Sequence, residues 1–227
     1  MIGSAGGRVL RWRPGVAAPD DIFGAGNPAC TLGLAVSSGG TIIASCSTYA
    51  KRVRQGVIDS IGFVNDLWTF VNDRGDYAGF EITSYSPALF HRAEGQPSWA
   101  WLFAGRYASP AGLNNRGDVT VNGEWHQGLN DSRAALVTAD SSVDLSAKYP
   151  WLGRVSGIND DQWIVGTKTG DPADVFLLID GTAARVRQLI SGSESLSNVV
   201  SVLALTNSRR MLVRAKDGQY AVLAPPN

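Results

Sequence analysis

Short apolar runs alternate along the chain with clusters of Gly, Asn, Asp and Ser, and no segment sustains the 3.6-residue period of an amphipathic helix. In one frame the pattern repeats five times: "VSSGGTIIA" from Val36, "VNDRGDYAG" from Val71, "LNNRGDVTV" from Leu113, "INDDQWIVG" from Ile158 and "LTNSRRMLV" from Leu205. Each copy opens on an apolar residue, continues through small polar residues and resumes a β-rich strand after the fifth position. This predicts a tight hairpin in which Asn or Asp caps its own backbone, with Gly40, Gly75 and Gly117 in the left-handed conformation that closes a three-residue loop. Gln162 and Arg209 replace that glycine in the last two copies. Positive φ costs them more, so those two turns are expected to differ in shape.

A second motif, an apolar strand followed by a turn, interleaves with the first: "RVLRWRPG" (8–15), "YAKRVRQG" (49–56), "PALFHRAEG" (87–95), "RAALVTADS" (133–141), "DVFLLIDG" (174–181) and "QYAVLAPP" (219–226). Further short β-like runs follow most copies: "VIDSIGF", "WAWLF", "VDLSA" and "ARVRQLI"; residues 184–192 are the one weak helical candidate. Each repeat therefore reads as four short antiparallel strands. The hairpins start 35, 42, 45 and 47 residues apart, near the spacing of propeller blades. The expected fold is a single all-β domain over 1–227, a β-propeller of five four-stranded blades. The last unit lacks a fourth strand and the chain begins with a surplus one, "GRVLRW", so the N-terminal strand is expected to complete the last blade and close the ring.

The segments "INDDQWIVGT", "VNDRGDYAGF" and "LNNRGDVTV", each ahead of an "A-F-L-W"-like strand such as "DVFLLIDG" or "RVLRWRPG", resemble the bacterial HAF-type extracellular repeat proteins. The His-Ala-Phe triplet that names that family is absent. The resemblance implies propeller-like repeats and, for many members, secretion or a cell-surface location. It implies no particular activity.

Composition narrows the function classes. Of 227 residues, 44% are hydrophobic, enough for a packed core, and the formal net charge is zero. The densest basic stretch, "KRVRQG" from Lys51, reads as the solvent face of a strand, so a nucleic-acid partner is not expected. No run approaches the roughly 18 apolar residues of a membrane-spanning helix, and the start has no signal-peptide architecture. An intracellular location and removal of a signal both remain open. Cys30 and Cys46 flank the first hairpin; if Ser37 pairs with Thr41 they end up offset by two positions, which leaves a bridge undecided. With only His91 and His126 besides, no metal site and no cofactor are expected.

Adjacent carboxylates at Asp20–Asp21 and Asp160–Asp161 point to opposite faces if extended, and turn chemistry explains most of the Asp residues. In "NGEWHQG", Glu124 and His126 share a face, with no nucleophile identifiable beside them. Among seven tryptophans, Trp12, Trp68, Trp99, Trp101 and Trp163 read as fillers between blades. Trp125 and Trp151 fall in loop-like contexts suited to a sugar face or a protein hot spot. The candidate ligand-binding residues are Trp125, His126, Glu124 and Trp151. The expected function is a monomeric, non-enzymatic binding module for a macromolecule, foremost a protein. A lectin-like carbohydrate-binding domain is the alternative, and a glycosidase-like enzyme using Glu81, Asp118 and Glu124 comes third.

Overall fold

The computed structural model describes residues 1–24, 30–47, 49–63, 66–81, 88–91, 100–101, 106–124, 132–190 and 198–224. The chain divides into two compact units, Met1–Leu102 and Phe103–Asn227. In the first, β1 (Ile2–Ala5), β2 (Arg8–Arg11) and β3 (Asp20–Asp21) form one sheet. It is followed by the meander β4 (Cys30–Val36), β5 (Ile42–Cys46), β6 (Tyr49–Arg54) and β7 (Val57–Phe63). A second meander follows: β8 (Asp66–Val71), β9 (Tyr77–Glu81), β10 (Ala88–His91) and β11 (Ala100–Trp101).

In the second unit, β12 (Arg106–Leu113), β13 (Val119–Glu124), β14 (Ser132–Val137) and β15 (Ser142–Asp144) form a third meander. The fourth comprises β16 (Leu152–Ile158), β17 (Ile164–Lys168), β18 (Asp171–Ile179) and β19 (Thr182–Arg185), and β20 (Val199–Leu205), β21 (Met211–Ala215) and β22 (Tyr220–Leu223) complete the set. Every pairing is antiparallel between strands consecutive in the chain. The two predicted motifs supply the first three strands of each repeat sheet.

Two short elements are helical turns, one within an expected strand and one inside the weak helical candidate at 184–192. "VDLSA" begins as β15 but turns at Leu145–Lys148 into a helical turn, α1, capped by the Asp144 carboxylate accepting from the Ala147 N–H. "ARVRQLI" ends β19 and becomes a 3-10 turn at Val186–Gln188. The N-terminal strand also differs from expectation. Instead of completing the last sheet, "GRVLRW" forms β2, the middle strand between β1, which reaches it through the Gly6–Gly7 turn, and β3, and the last sheet keeps three strands among the described residues. A local hairpin closes a far shorter loop than a pairing across the whole chain would.

The cores lie between successive sheets within each unit. β5 is buried on both faces: Ala44 and Cys46 pack with Val9 and Cys30, while Ile43 packs with Val71 and Tyr77. β17 does the same in the second unit. Ile164 joins Leu145, Leu152, Val155 and Leu178 on one side, and Val165 joins Val175, Val199 and Val213 on the other. Strands covered on both faces read as apolar runs rather than as alternating patterns, as "TIIAS" and "WIVG" do. At Gly112 the neighbouring sheet comes so close that a Cβ would stand 2.9 Å from the Ile158 nitrogen.

The first strand of every repeat carries a bulge two residues before its hairpin motif, between Gly33 and Ala35, Trp68 and Phe70, Pro110 and Gly112, Val155 and Gly157, and Val202 and Ala204. β4 has a second bulge, between Cys30 and Leu32. The two irregularities absorb the two-residue offset expected of the cysteines, so Cys30 lies directly opposite Cys46 and the pair forms a disulfide.

Candidate functional site

The recurring corner is the first candidate, and its chemistry is spent on structure. In all five copies the second residue exchanges backbone bonds with the fifth and sixth: Ser37 with Gly40 and Thr41, Asn72 with Gly75 and Asp76, and so on to Thr206 with Arg209 and Arg210. The side chain at the second position closes the same loop. Ser37 Oγ accepts from the Thr41 N–H, Asn72 Oδ1 from Asp76, Asn114 Oδ1 from Asp118, Asn159 Oδ1 from Trp163 and Thr206 Oγ1 from Arg210. Gln162 and Arg209 take φ of 59° and 60° in the place of glycine. The turns expected to differ in shape are therefore built like the others. The strain, of order 1 kcal/mol each, is met by contacts glycine lacks: Gln162 Nε2 donates to Asp118, and Arg209 Nε to Asp161.

The third position fastens one corner to the previous one. Asp73 accepts from Ser38 Oγ and the Gly39 N–H. Asp160 accepts from the Asn115 N–H and Nδ2, and Asn207 Oδ1 accepts from the Asp160 N–H at 3.0 Å. The second position adds a parallel link, with Asn114 Nδ2 donating to the Asn159 carbonyl and Asn159 Nδ2 to that of Thr206. These bonds join equivalent positions of successive repeats.

The carboxylate pairs are placed the same way. Asp160 serves the preceding corner, whereas Asp161 binds Arg209 of the following one, so the neighbours work in opposite directions. Asp20 binds Arg11 and Arg13, and the hydrogen bond from Arg13 is the main cause that holds its carboxyl below the ordinary 3.8. Asp21 instead accepts from the Phe23 and Gly24 N–H groups and faces Arg8. Asp118, the last residue of the Arg-Gly-Asp triplet at 116–118, is 4% exposed and accepts from Asn114 and Gln162.

Of the residues singled out for ligand binding, Trp125 and His126 lie outside the described residues. Glu124 and Glu81 are placed by their backbones only, at the ends of β13 and β9. Trp151 is half-buried, its ring 4.1 Å from that of Phe176 and 5.8 Å from that of Tyr149. Arg185 lies over the other end of this stack, 5.6 Å from the Phe176 centroid, and pairs with buried Asp174. Just upstream of Trp125, Asn122 has a role that sequence does not signal. It exchanges two 2.8 Å bonds with the Val155 backbone, pairing β13 with the next sheet as a strand would.

Beside the Tyr149 end of that stack, the second unit holds a cavity of about 170 Å³ between its first two sheets. Leu136, Leu145, Ile164 and Leu178 supply apolar walls, and Val143, 38% exposed, stands at the edge. Lys148, Tyr149, Gln162, Asp180 and Gly181 bring the polar groups. The Lys148 ammonium sits 5.6 Å from the Tyr149 centroid. The Asp180–Gly181 turn joins β18 to β19 with φ of 48° and 79°, the geometry of a two-residue Asp-Gly hairpin. The space is well below the roughly 300–1,000 Å³ of small-molecule sites. It is close to the engineered apolar cavity of about 150 Å³ that takes up benzene in another protein, so it suits one ring or one branched side chain.

No protein-family model matches the sequence, and no curated protein matches it. Among solved structures, the chain is similar to YCF48 bound to D1 peptide, with 10% identity and a TM-score of 0.52 over 98% of this chain and 73% of that one. It is also similar to selenomethionine-substituted virginiamycin B lyase from Staphylococcus aureus, at 13% identity and a TM-score of 0.36 over 86% of this chain and 70% of the other; at that score the likeness carries no argument. The chain has the β-propeller fold, and the five repeat sheets are its blades.

Proposed function

We propose that this propeller is a binding module whose partner is a protein, recognised as a short peptide segment. The observation that carries the reading is the fold shared with YCF48, a chain whose solved structure holds a peptide. The side chains most repeated along the sequence are engaged in holding the blades, which leaves recognition to positions that vary between repeats. A divergent relationship to the HAF-type extracellular repeat proteins belongs to the same proposal. The Cys30–Cys46 bridge supports it, because disulfides persist in oxidising compartments.

Parallel peptide and glycan arrays test the reading. Saturable binding to a subset of peptides with a blank glycan array is the expected result. A glycan signal abolished by Trp125→Ala would overturn it in favour of the lectin alternative.

A further inference from the structure

We propose that the cavity between the β12–β15 and β16–β19 sheets is the anchor pocket for one apolar side chain of the partner peptide. Its rim carries Lys148 and Asp180, which read an acidic and a basic group next to that anchor. The proposal rests on the protein-binding reading and gives it a ligand: a segment with a central Leu, Ile or Met between residues of opposite charge.

Size and lining favour this occupant. The cavity of about 170 Å³ admits one branched side chain; Leu145, Ile164 and Leu178, each at most 5% exposed, belong to the packed core behind it, and Leu136 and Val143 supply the more accessible apolar surface. Burying an apolar side chain against these aliphatic walls is favourable, and the polar groups of Lys148, Tyr149, Gln162, Asp180 and Gly181 are left for the flanking residues.

The rim charges select the flanks. Lys148 and Asp180 line the same cavity and are both exposed; among the described residues neither is within ion-pair distance of an opposite charge, while the Asp180 carboxylate acts on Arg209 through space and the Lys148 ammonium lies over Tyr149. A positive and a negative group at one apolar mouth complement a peptide of the opposite polarity, which adds orientation to the apolar contact.

Local geometry holds the rim open. A Cβ on Gly181 would stand 3.1 Å from the Lys148 ammonium, so the missing side chain at the turn leaves room for it. Gln162, kept at positive φ where three other corners have glycine, lines the same cavity while its amide is tied to Asp118.

The test is a methyl and amide NMR titration of the full chain with two acetylated, amidated probes, Gly-Lys-Leu-Glu-Gly and its charge-reversed partner Gly-Glu-Leu-Lys-Gly. Each has a control in which Gly replaces Leu. One charge order is expected to bind at least 10-fold better than the other and to shift the methyls of Leu136, Leu145, Ile164 and Leu178, with no response to the controls. Val143→Trp, which fills the mouth from its exposed edge, is expected to weaken binding at least 10-fold. The double variant Lys148→Glu, Asp180→Lys is expected to invert the preferred order without depending on a core change. Equal binding of the Leu probes and their controls, or no inversion in the double variant, overturns the proposal. Saturable shifts confined to other residues overturn the anchor while leaving the protein-binding reading standing. Silence here together with a blank peptide array overturns both.

Discussion

Asn159 concentrates most of what the corner does. It is fully buried, its Oδ1 accepts from the Asp161 and Trp163 N–H groups, and its Nδ2 donates to the Thr206 carbonyl. Asn159→Ala leaves those groups without their partner and is expected to lower stability by about 2–4 kcal/mol. Asp160→Ala loses only links to the preceding corner from a half-exposed site, for about 1–2 kcal/mol. Urea unfolding of the two variants checks the order; an equal or reversed ranking would show that the fastening matters as much as the turn. The second-position role was legible in sequence, because an Asn capping its own loop acts within a few residues. The third-position role was not. Asp160 finds its partners 45 and 47 residues away, and nothing local distinguishes a solvated Asp from one that fastens a neighbour. The same distance hid why Gln162 and Arg209 tolerate positive φ: the compensating carboxylates belong to the preceding blade.

At the scale of elements, strands were readable wherever apolar runs met Gly- or Asn-rich turns, and three of the four strands in a repeat followed from the two motifs. The bulges were not readable, since an extra residue in one strand shows only against its partner. They decided the cysteine question. Straight registers put Cys30 and Cys46 two positions apart, and the two bulges of β4 bring them opposite each other. A bridge closing a loop of this length stabilises by about 3 kcal/mol through the unfolded chain. The Cys30→Ala, Cys46→Ala variant is expected to lose about that much and to become insensitive to reductant, while the parent falls to a similar level when reductant is added. Thiol titration of the unreduced, denatured protein should find no free thiol; two free thiols would refute the bridge. "VDLSA" and "ARVRQLI" show the other limit, where weak strand signals gave way to single helical turns, the first capped by Asp144 and the second without a side-chain cap.

For the whole molecule, the N-terminal sheet changes what a deletion should do. Ser4 Oγ accepts from the Gly33 N–H, Ile2 and Val9 pack over Gly33, and Val9, Ile22 and Phe23 cover Cys30, Ala44 and Cys46. Removing residues 1–24 is therefore expected to cost at least about 3 kcal/mol and to expose β4–β7 to amide exchange. Protection of β20–β22 should stay unchanged. Loss of protection in β20–β22 would restore the latch that the surplus strand suggested. The repeat told the fold class because five in-frame copies multiply a weak local signal. It did not point to a site, because what repeats is what holds the blades together.

The sequence by itself determined the hairpins, their spacing, the strand order within each blade and thereby the propeller fold, all of which follow from turn chemistry and apolar patterning over a few residues. Only the tertiary structure decided which corner side chains join blades, that the bulges align Cys30 with Cys46, where the N-terminal strand pairs, and that Leu136, Leu145, Ile164 and Leu178 enclose a cavity beside Lys148 and Asp180. Those outcomes depend on groups brought together from distant parts of the chain, and such contacts leave no periodic trace in the order of residues.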